Sequence, residues 1–175
     1  MSVTPQDLEA AIRNIPDFPK PGIQFKDITP VLADPKLFQA AIEHLTAPYA
    51  PGDVDVIVGV DARGFIFAAA AALHLKAGFV PVRKKGKLPF DTHEESYDLE
   101  YGSNTVAIHT DAIHKGSRTL LVDDLLATGG TAVAALKLLN KLEVELLEAT
   151  FLIELEFLKG RALLGDIPIR SIISY

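Results

Sequence analysis

Residues 120–132 read Leu-Leu-Val-Asp-Asp-Leu-Leu-Ala-Thr-Gly-Gly-Thr-Ala. An apolar strand leads into two adjacent carboxylates, then a Thr/Gly-rich turn, then an amphipathic helix. A helix N-terminus carries unpaired N–H groups and a partial positive charge, so it binds anions. Gly129 and Gly130 let the backbone approach a phosphate, because no Cβ intrudes. Thr128 and Thr131 add hydroxyl donors. Asp123 and Asp124 stand at the carboxyl end of the strand, where open α/β sheets bind ligands. They suit hydrogen bonds from ribose hydroxyls or the positioning of a magnesium ion. An Asp pair or a Gly-Gly turn alone also fits an ordinary βα connection. The whole run does not, because adjacent like charges repel and gain little for structure.

Two further segments bring cations to the same expected sheet edge. Asp61–Gly64 supplies Arg63, whose guanidinium grips phosphate oxygens in bidentate fashion. Arg83–Lys87 supplies Lys84 as a point charge. A phosphate site, a diol site and a second anion site describe a sugar with phosphate at one end and pyrophosphate at the other. Magnesium is the expected cofactor, since it bridges phosphate oxygens while keeping few protein ligands; no protein metal site is expected. There is no Gly-x-Gly-x-x-Gly and no Gly-x-x-x-x-Gly-Lys-Ser/Thr, which argues against dinucleotide and P-loop folds. His93-Glu94-Glu95 lacks the second His of a zinc helix. His74, in or at the end of a buried helix, and His109, in a strand, read as structural.

The elements that position these groups follow from periodicity. Thr4-Pro5 with Asp7 starts a helix. Pro16, Pro19, Pro21 and Gly22 make an ordered irregular stretch. Asp34-Pro35 starts a second helix. Strands are expected at Val54–Val60, Phe79–Val82, Thr105–His109, Arg118–Val122, Val144–Ile153 and Ile169–Ile173, with helices at Phe65–Leu75 and Ala132–Leu142. This alternation implies an α/β fold, a mainly parallel twisted sheet with helices on both faces. Arg83–Asn104 breaks the pattern and reads as a lid, in loop or hairpin form.

The 175 residues fit one domain, 1–175, with 49% hydrophobic residues for its core. A net charge of −6 argues against a general nucleic-acid or membrane-surface binder. The absence of cysteine removes disulfides and thiolate chemistry. The first residues lack signal-peptide features, and the longest apolar run, Phe65–Leu73, is too short to span a bilayer. A cytoplasmic protein is the expectation.

Val122–Ala132 resembles the phosphoribosyl-diphosphate signature of the type I phosphoribosyltransferases. Pro16-Asp17-Phe18-Pro19, Pro21-Gly22, Phe25–Pro30, Ala62-Arg63-Gly64-Phe65, Arg83–Pro89 and Tyr97–Gly102 resemble, in order, segments of that family's adenine-using branch. The resemblance implies transfer of the 5-phosphoribosyl group from its 1-diphosphate to N9 of adenine, giving AMP and pyrophosphate in purine salvage, with magnesium, in a homodimer. It implies an N-terminal helix and base-binding hood at 1–33, a flexible loop at 83–104, and the type I fold. Ala127, Thr128, Gly129, Gly130 and Thr131 would hold the 5′-phosphate, and Asp123 and Asp124 the ribose hydroxyls. Arg63 and Lys84 would hold pyrophosphate, with Arg63 acting in the subunit itself or across the dimer. Phe25 would stack on adenine while the backbone of Gln24 and Lys26 reads its edge. Glu100 would face the imidazole side of the base, and Tyr101 would shield the reacting centre. Gln24 stands where an aliphatic residue is usual, and Ala68 where Gly is common, which suggests a slightly different start to its helix. Two other readings compete: a phosphoribosyl-diphosphate-sensing regulator, for which no spare helix-turn-helix is present, and an enzyme for guanine or xanthine.

Overall fold

The computed structural model describes residues 2–98 and 103–175. The chain forms two compact units, Met1–His44 and Leu45–Tyr175.

In the first unit, helix α1 (Pro5–Ala11) starts with the capping box its sequence predicts. Asp7 N–H donates to Thr4 Oγ1 at 3.3 Å, and Thr4 N–H donates to the Asp7 carboxylate at 2.8 Å. The proline-rich stretch is more regular than expected. Strands β1 (Arg13–Pro16) and β2 (Gln24–Asp27) pair antiparallel, with Ile15 opposite Phe25. The prolines permit this because Pro16 ends a strand and Pro19 and Pro21 lie in the connection, where no ladder N–H is missed. Asp17 Oδ1 closes the connection by accepting from Gly22 N–H at 2.7 Å. Helices α2 (Thr29–Ala33) and α3 (Pro35–Thr46) follow. Asp34 Oδ1 caps α3, accepting from the Lys36 and Leu37 N–H groups at 2.8 and 3.1 Å.

The second unit is built on a seven-stranded sheet in the order β5-β6-β4-β3-β7-β8-β9. Its strands are β3 (Val56–Val60), β4 (Gly78–Lys84), β5 (Thr92–Asp98), β6 (Ser103–His109), β7 (Arg118–Leu126), β8 (Glu145–Glu154) and β9 (Ile169–Ser174). From β4 through β3, β7 and β8 to β9 the pairing is parallel. β6 runs antiparallel to both β4 and β5. Helix α4 (Gly64–Leu75) follows β3, and α5 (Gly130–Lys141) follows β7. Successive strand residues face opposite sides, and β3 uses both. Val58 and Val60 join the core with Ala135 and Leu136 of α5. Gly59 faces the other way, and a Cβ there would lie 2.6 Å from Ala68 Cβ of α4. Ala68 therefore fits where a smaller residue was expected because the facing strand position is a glycine.

Of the loop and hairpin forms expected for Arg83–Asn104, part takes the hairpin form as β5, where charges are paired: Glu94 with Lys85 at 2.8 Å and Glu95 with Lys141 of α5 at 2.6 Å. Tyr97 packs against the core and Ser96 shares a hydrogen bond with Thr105 at 2.8 Å. One expectation is corrected. α4 is buried on one side only: Leu73 is 83% exposed, and His74 is exposed rather than structural. His109 does have a structural role, its Nε2 accepting from Phe90 N–H at 3.3 Å. Among the described residues, no helix is long and apolar enough to cross a membrane.

Candidate functional site

The parallel strands leave the centre of the sheet in opposite directions: β3 leads to β4 on one side, and β7 leads to β8 and β9 on the other. The order therefore reverses between β3 and β7. A crevice opens beyond the carboxyl ends of strands at such a point. A cavity of about 360 Å³ occupies it, lined by the Val60–Arg63 turn and by 123–132.

β7 runs further than the sequence suggested, so Asp123 and Asp124 lie within it, with Asp123 opposite Phe151. Both carboxylates are buried. Asp123 Oδ1 accepts the Asp124 backbone N–H at 2.9 Å. Asp124 Oδ2 receives Arg63 Nε at 2.8 Å. Burial pushes the Asp123 carboxyl well above its ordinary range, and the neighbouring Asp124 charge adds to this. Burial also raises Asp124, with Arg63 opposing. The two side chains form one electrostatic unit that gains from an incoming hydroxyl donor or cation.

The loop after β7 ends at Gly129, the N-cap of α5, with φ 88°. Glycine is favoured there by the left-handed backbone. No side chain caps α5, so the N–H groups of its first turn are open to an anion. Asp123 and Asp124 line the same cavity as this positive end. The arrangement suits an ester that presents phosphate to the helix and hydroxyls to the carboxylates.

Asp123, Asp124, Ala127, Thr128, Gly129, Gly130, Thr131 and Arg63 all line the one cavity. Lys84 ends β4 at the same sheet edge and is exposed, outside that lining. Gln24, Phe25 and Lys26 form β2 in the first unit. There, Phe25 meets Phe18 edge to face with centroids 5.1 Å apart, and Lys26 Nζ donates to Asn14 Oδ1 at 2.6 Å. Glu100 and Tyr101 lie outside the described residues.

Sequence reading missed two contacts. A Cβ on Gly64 would collide with Asp123 Oδ1, so this glycine lets the carboxylate approach α4. Gly160, distant in sequence, lies against the Ala127–Gly129 backbone. The first had a weak signal in its Arg-Gly turn; the second had none, because only the fold brings Gly160 to the loop.

A mainly parallel sheet with this carboxylate–glycine loop at its switch point matches a phosphoribosyl-transfer fold, and residues 32–160 match the phosphoribosyl transferase domain family. An adenine phosphoribosyltransferase of Acidothermus cellulolyticus is 55% identical over 164 residues, covering 94% of this chain and 93% of that protein. The crystal structure of the Thermoanaerobacter pseudethanolicus adenine phosphoribosyltransferase is 50% identical, with a TM-score of 0.93 over 98% of this chain and 100% of that one. The Saccharomyces cerevisiae adenine phosphoribosyltransferase, solved with an imino-altritol bisphosphate and adenine, is 44% identical, with a TM-score of 0.91 over 96% of this chain and 97% of that one. The chain belongs to the phosphoribosyl transferase family, among the adenine phosphoribosyltransferases.

Proposed function

We propose that this chain transfers the 5-phosphoribosyl group from 5-phosphoribosyl 1-diphosphate to N9 of adenine, giving AMP and pyrophosphate in purine salvage. The observation that carries the donor half is the buried Asp123–Asp124 pair beside the uncapped, glycine-opened start of α5. The acceptor half is supported by the adenine phosphoribosyltransferases it matches.

Ala127–Thr131 bind the 5′-phosphate through backbone N–H groups and the Thr128 and Thr131 hydroxyls. Asp123 and Asp124 accept from the ribose hydroxyls. Arg63 and Lys84 bind the pyrophosphate and stabilise the charge that grows on it as the C1–O bond breaks. Phe25 stacks on adenine, and the backbone of Gln24 and Lys26 reads its edge. N9 attacks C1 from the face opposite the leaving group, with inversion. Glu100 takes the purine proton as N9 becomes nucleophilic, and Tyr101 screens the cationic sugar from water.

Among the described residues there is no cluster of three or more metal-ligating side chains. Two carboxylates, one already paired with Arg63, fit magnesium held mainly by substrate oxygens and water. Bound there, magnesium would neutralise pyrophosphate charge. The enzyme is a homodimer of the cytoplasm in this reading. The apolar outer face of α4, with Ile66 and Leu73 exposed, supports a second copy as its cover.

The test is pyrophosphate release with 5-phosphoribosyl 1-diphosphate, magnesium and a panel of bases. Adenine-only turnover is expected. Turnover with guanine or xanthine instead overturns the base assignment. Binding of the donor with no turnover on any base makes the chain a sensor. Glu100→Leu should lower turnover and spare donor binding; unchanged turnover removes Glu100 from the mechanism.

A further inference from the structure

Gly160 lies against the backbone of the phosphate loop. A Cβ built on it would collide with the Ala127 carbonyl oxygen and lie 2.8 Å from Gly129 N and 2.9 Å from Thr128 C. The contact is reciprocal, since a Cβ on Gly129 would lie 2.6 Å from Gly160 O. Gly160 is not among the glycines with positive φ. Its backbone conformation would accept another residue, so the requirement for glycine is the close approach itself.

The adjacent residue is anchored. Arg161 Nε and Nη2 donate to the two oxygens of Glu154 at 3.0 and 2.5 Å. Arg161 Nη1 donates to Ile169 O at 3.0 Å, and Ser171 Oγ donates to Glu154 Oε2 at 2.6 Å. Glu154, the last residue of β8, is buried. Arg161 therefore bridges β8 and β9 beyond the substrate cavity. Leu155 N–H also donates to Leu126 O at 2.9 Å, which ties the same turn to the residue before the loop.

We infer that Gly160, held by the Glu154–Arg161–Ser171 cluster, is a positioning residue that sets the backbone of the 5′-phosphate loop from behind. The inference rests on the reading of Ala127–Thr131 as the phosphate cradle. Ordinary van der Waals contact begins near 3.4 Å, and the clash with the Ala127 carbonyl falls so far short of it that a methyl at 160 must push the loop by more than the few tenths of an ångström that a 3.0–3.4 Å contact would need. Loop N–H groups aimed at a phosphate lose alignment over such a distance.

The experiment compares wild type with Gly160→Ala, Arg161→Ala and Arg161→Lys. Steady-state kinetics are measured with each substrate varied, ribose 5-phosphate binding by calorimetry, and folding by thermal melts. Glu148→Gln serves as a control, because Glu148 forms an ion pair with Arg170 near the other end of β8. Gly160→Ala is expected to raise KM for 5-phosphoribosyl 1-diphosphate and Kd for ribose 5-phosphate about 10-fold, the loss of one charge-assisted hydrogen bond. KM for adenine should change less than about 2-fold, because the close neighbours of Gly160 are Ala127, Thr128 and Gly129 of the phosphate loop. Arg161→Ala should move the same constants, with partial rescue in Arg161→Lys. Should Gly160→Ala not fold, the Arg161 pair decides alone.

Lower melting temperatures with unchanged donor KM and ribose 5-phosphate Kd would make the cluster merely structural and overturn the inference. Wild type that binds neither donor nor ribose 5-phosphate would overturn the phosphate-loop reading, and the inference with it.

Discussion

Replacing Asp123 with Asn removes one buried charge while keeping the outline of the side chain. Asp123 is 9% exposed, beside a second carboxylate, and its Oδ1 accepts the Asp124 N–H. Asn keeps that acceptor. The folded carboxyl titrates well above its ordinary value of 3.8, first because of burial and then because of Asp124. The folded state therefore holds a proton that the unfolded chain has released. This favourable contribution is present below the ordinary value and is lost as pH rises through the raised one. Above the ordinary value the ligand-free enzyme bears the cost of burying this group, as a charge or as an extra proton, so Asp123→Asn should stabilise it by about 0.5–2 kcal/mol, the usual gain from relieving a functional site. For a chain of this size that is a rise in melting temperature of about 1–8 °C. The gain should shrink as pH falls toward 4. Activity should drop by about 10–100-fold if the ribose hydroxyls lose a charged acceptor worth 1.5–3 kcal/mol. Thermal melts at equal protein concentration over pH 4–8, with kcat/KM alongside, check both. A variant that melts no higher than wild type at pH 8, or a difference that ignores pH, would refute the claim that the pair stores electrostatic strain.

Gly129→Ala places a Cβ at φ 88° and 2.6 Å from Gly160 O; it should cost about 1–3 kcal/mol, read by urea unfolding, and raise donor KM. Glu148 accepts from Arg170 Nε at 2.7 Å and from Tyr49 OH at 3.0 Å. Glu148→Gln should cost about 3 kcal/mol, the low end for a broken buried pair because Arg170 is partly exposed, with substrate KM unchanged. Burial, then the bond to Glu148, raises the Tyr49 phenol to about 12. One tyrosine should therefore titrate late in an ultraviolet pH titration of wild type, and earlier in Glu148→Gln. Arg161, above all, holds the Glu154 carboxyl below its ordinary value of 4.5. That stability is present above the ordinary value and is lost as pH falls through the lowered one. Glu154→Gln should flatten that part of the acid limb in pH-dependent melts.

Much of the second unit was legible because its signals are local. The apolar runs of β3, β7 and β8 mark strands buried on both faces. The Asp123–Thr131 run announces its chemistry in consecutive residues. Other elements resisted reading because their cause lies elsewhere in the chain. Strand β5 carries Glu94 and Glu95, which look like a solvated loop until Lys85 and Lys141 pair with them. The β1–β2 hairpin is hidden by its prolines, of which Pro16 ends β1 and Pro19 and Pro21 lie in the connection. α4 reads as apolar on all sides, yet Leu73 is exposed.

The sequence by itself determined which groups can meet an anion and a diol: an Asp pair, a glycine-opened loop, the start of a helix and an arginine at a strand exit. These depend on neighbours within a few residues and on backbone periodicity. Only the tertiary structure decided that β3 and β7 are adjacent, and this places Arg63 Nε 2.8 Å from Asp124. Only it decided that Gly160 lies against the Ala127–Gly129 backbone. Strand order and close approach are set by packing between distant segments, and no local pattern of residues encodes which of them will meet.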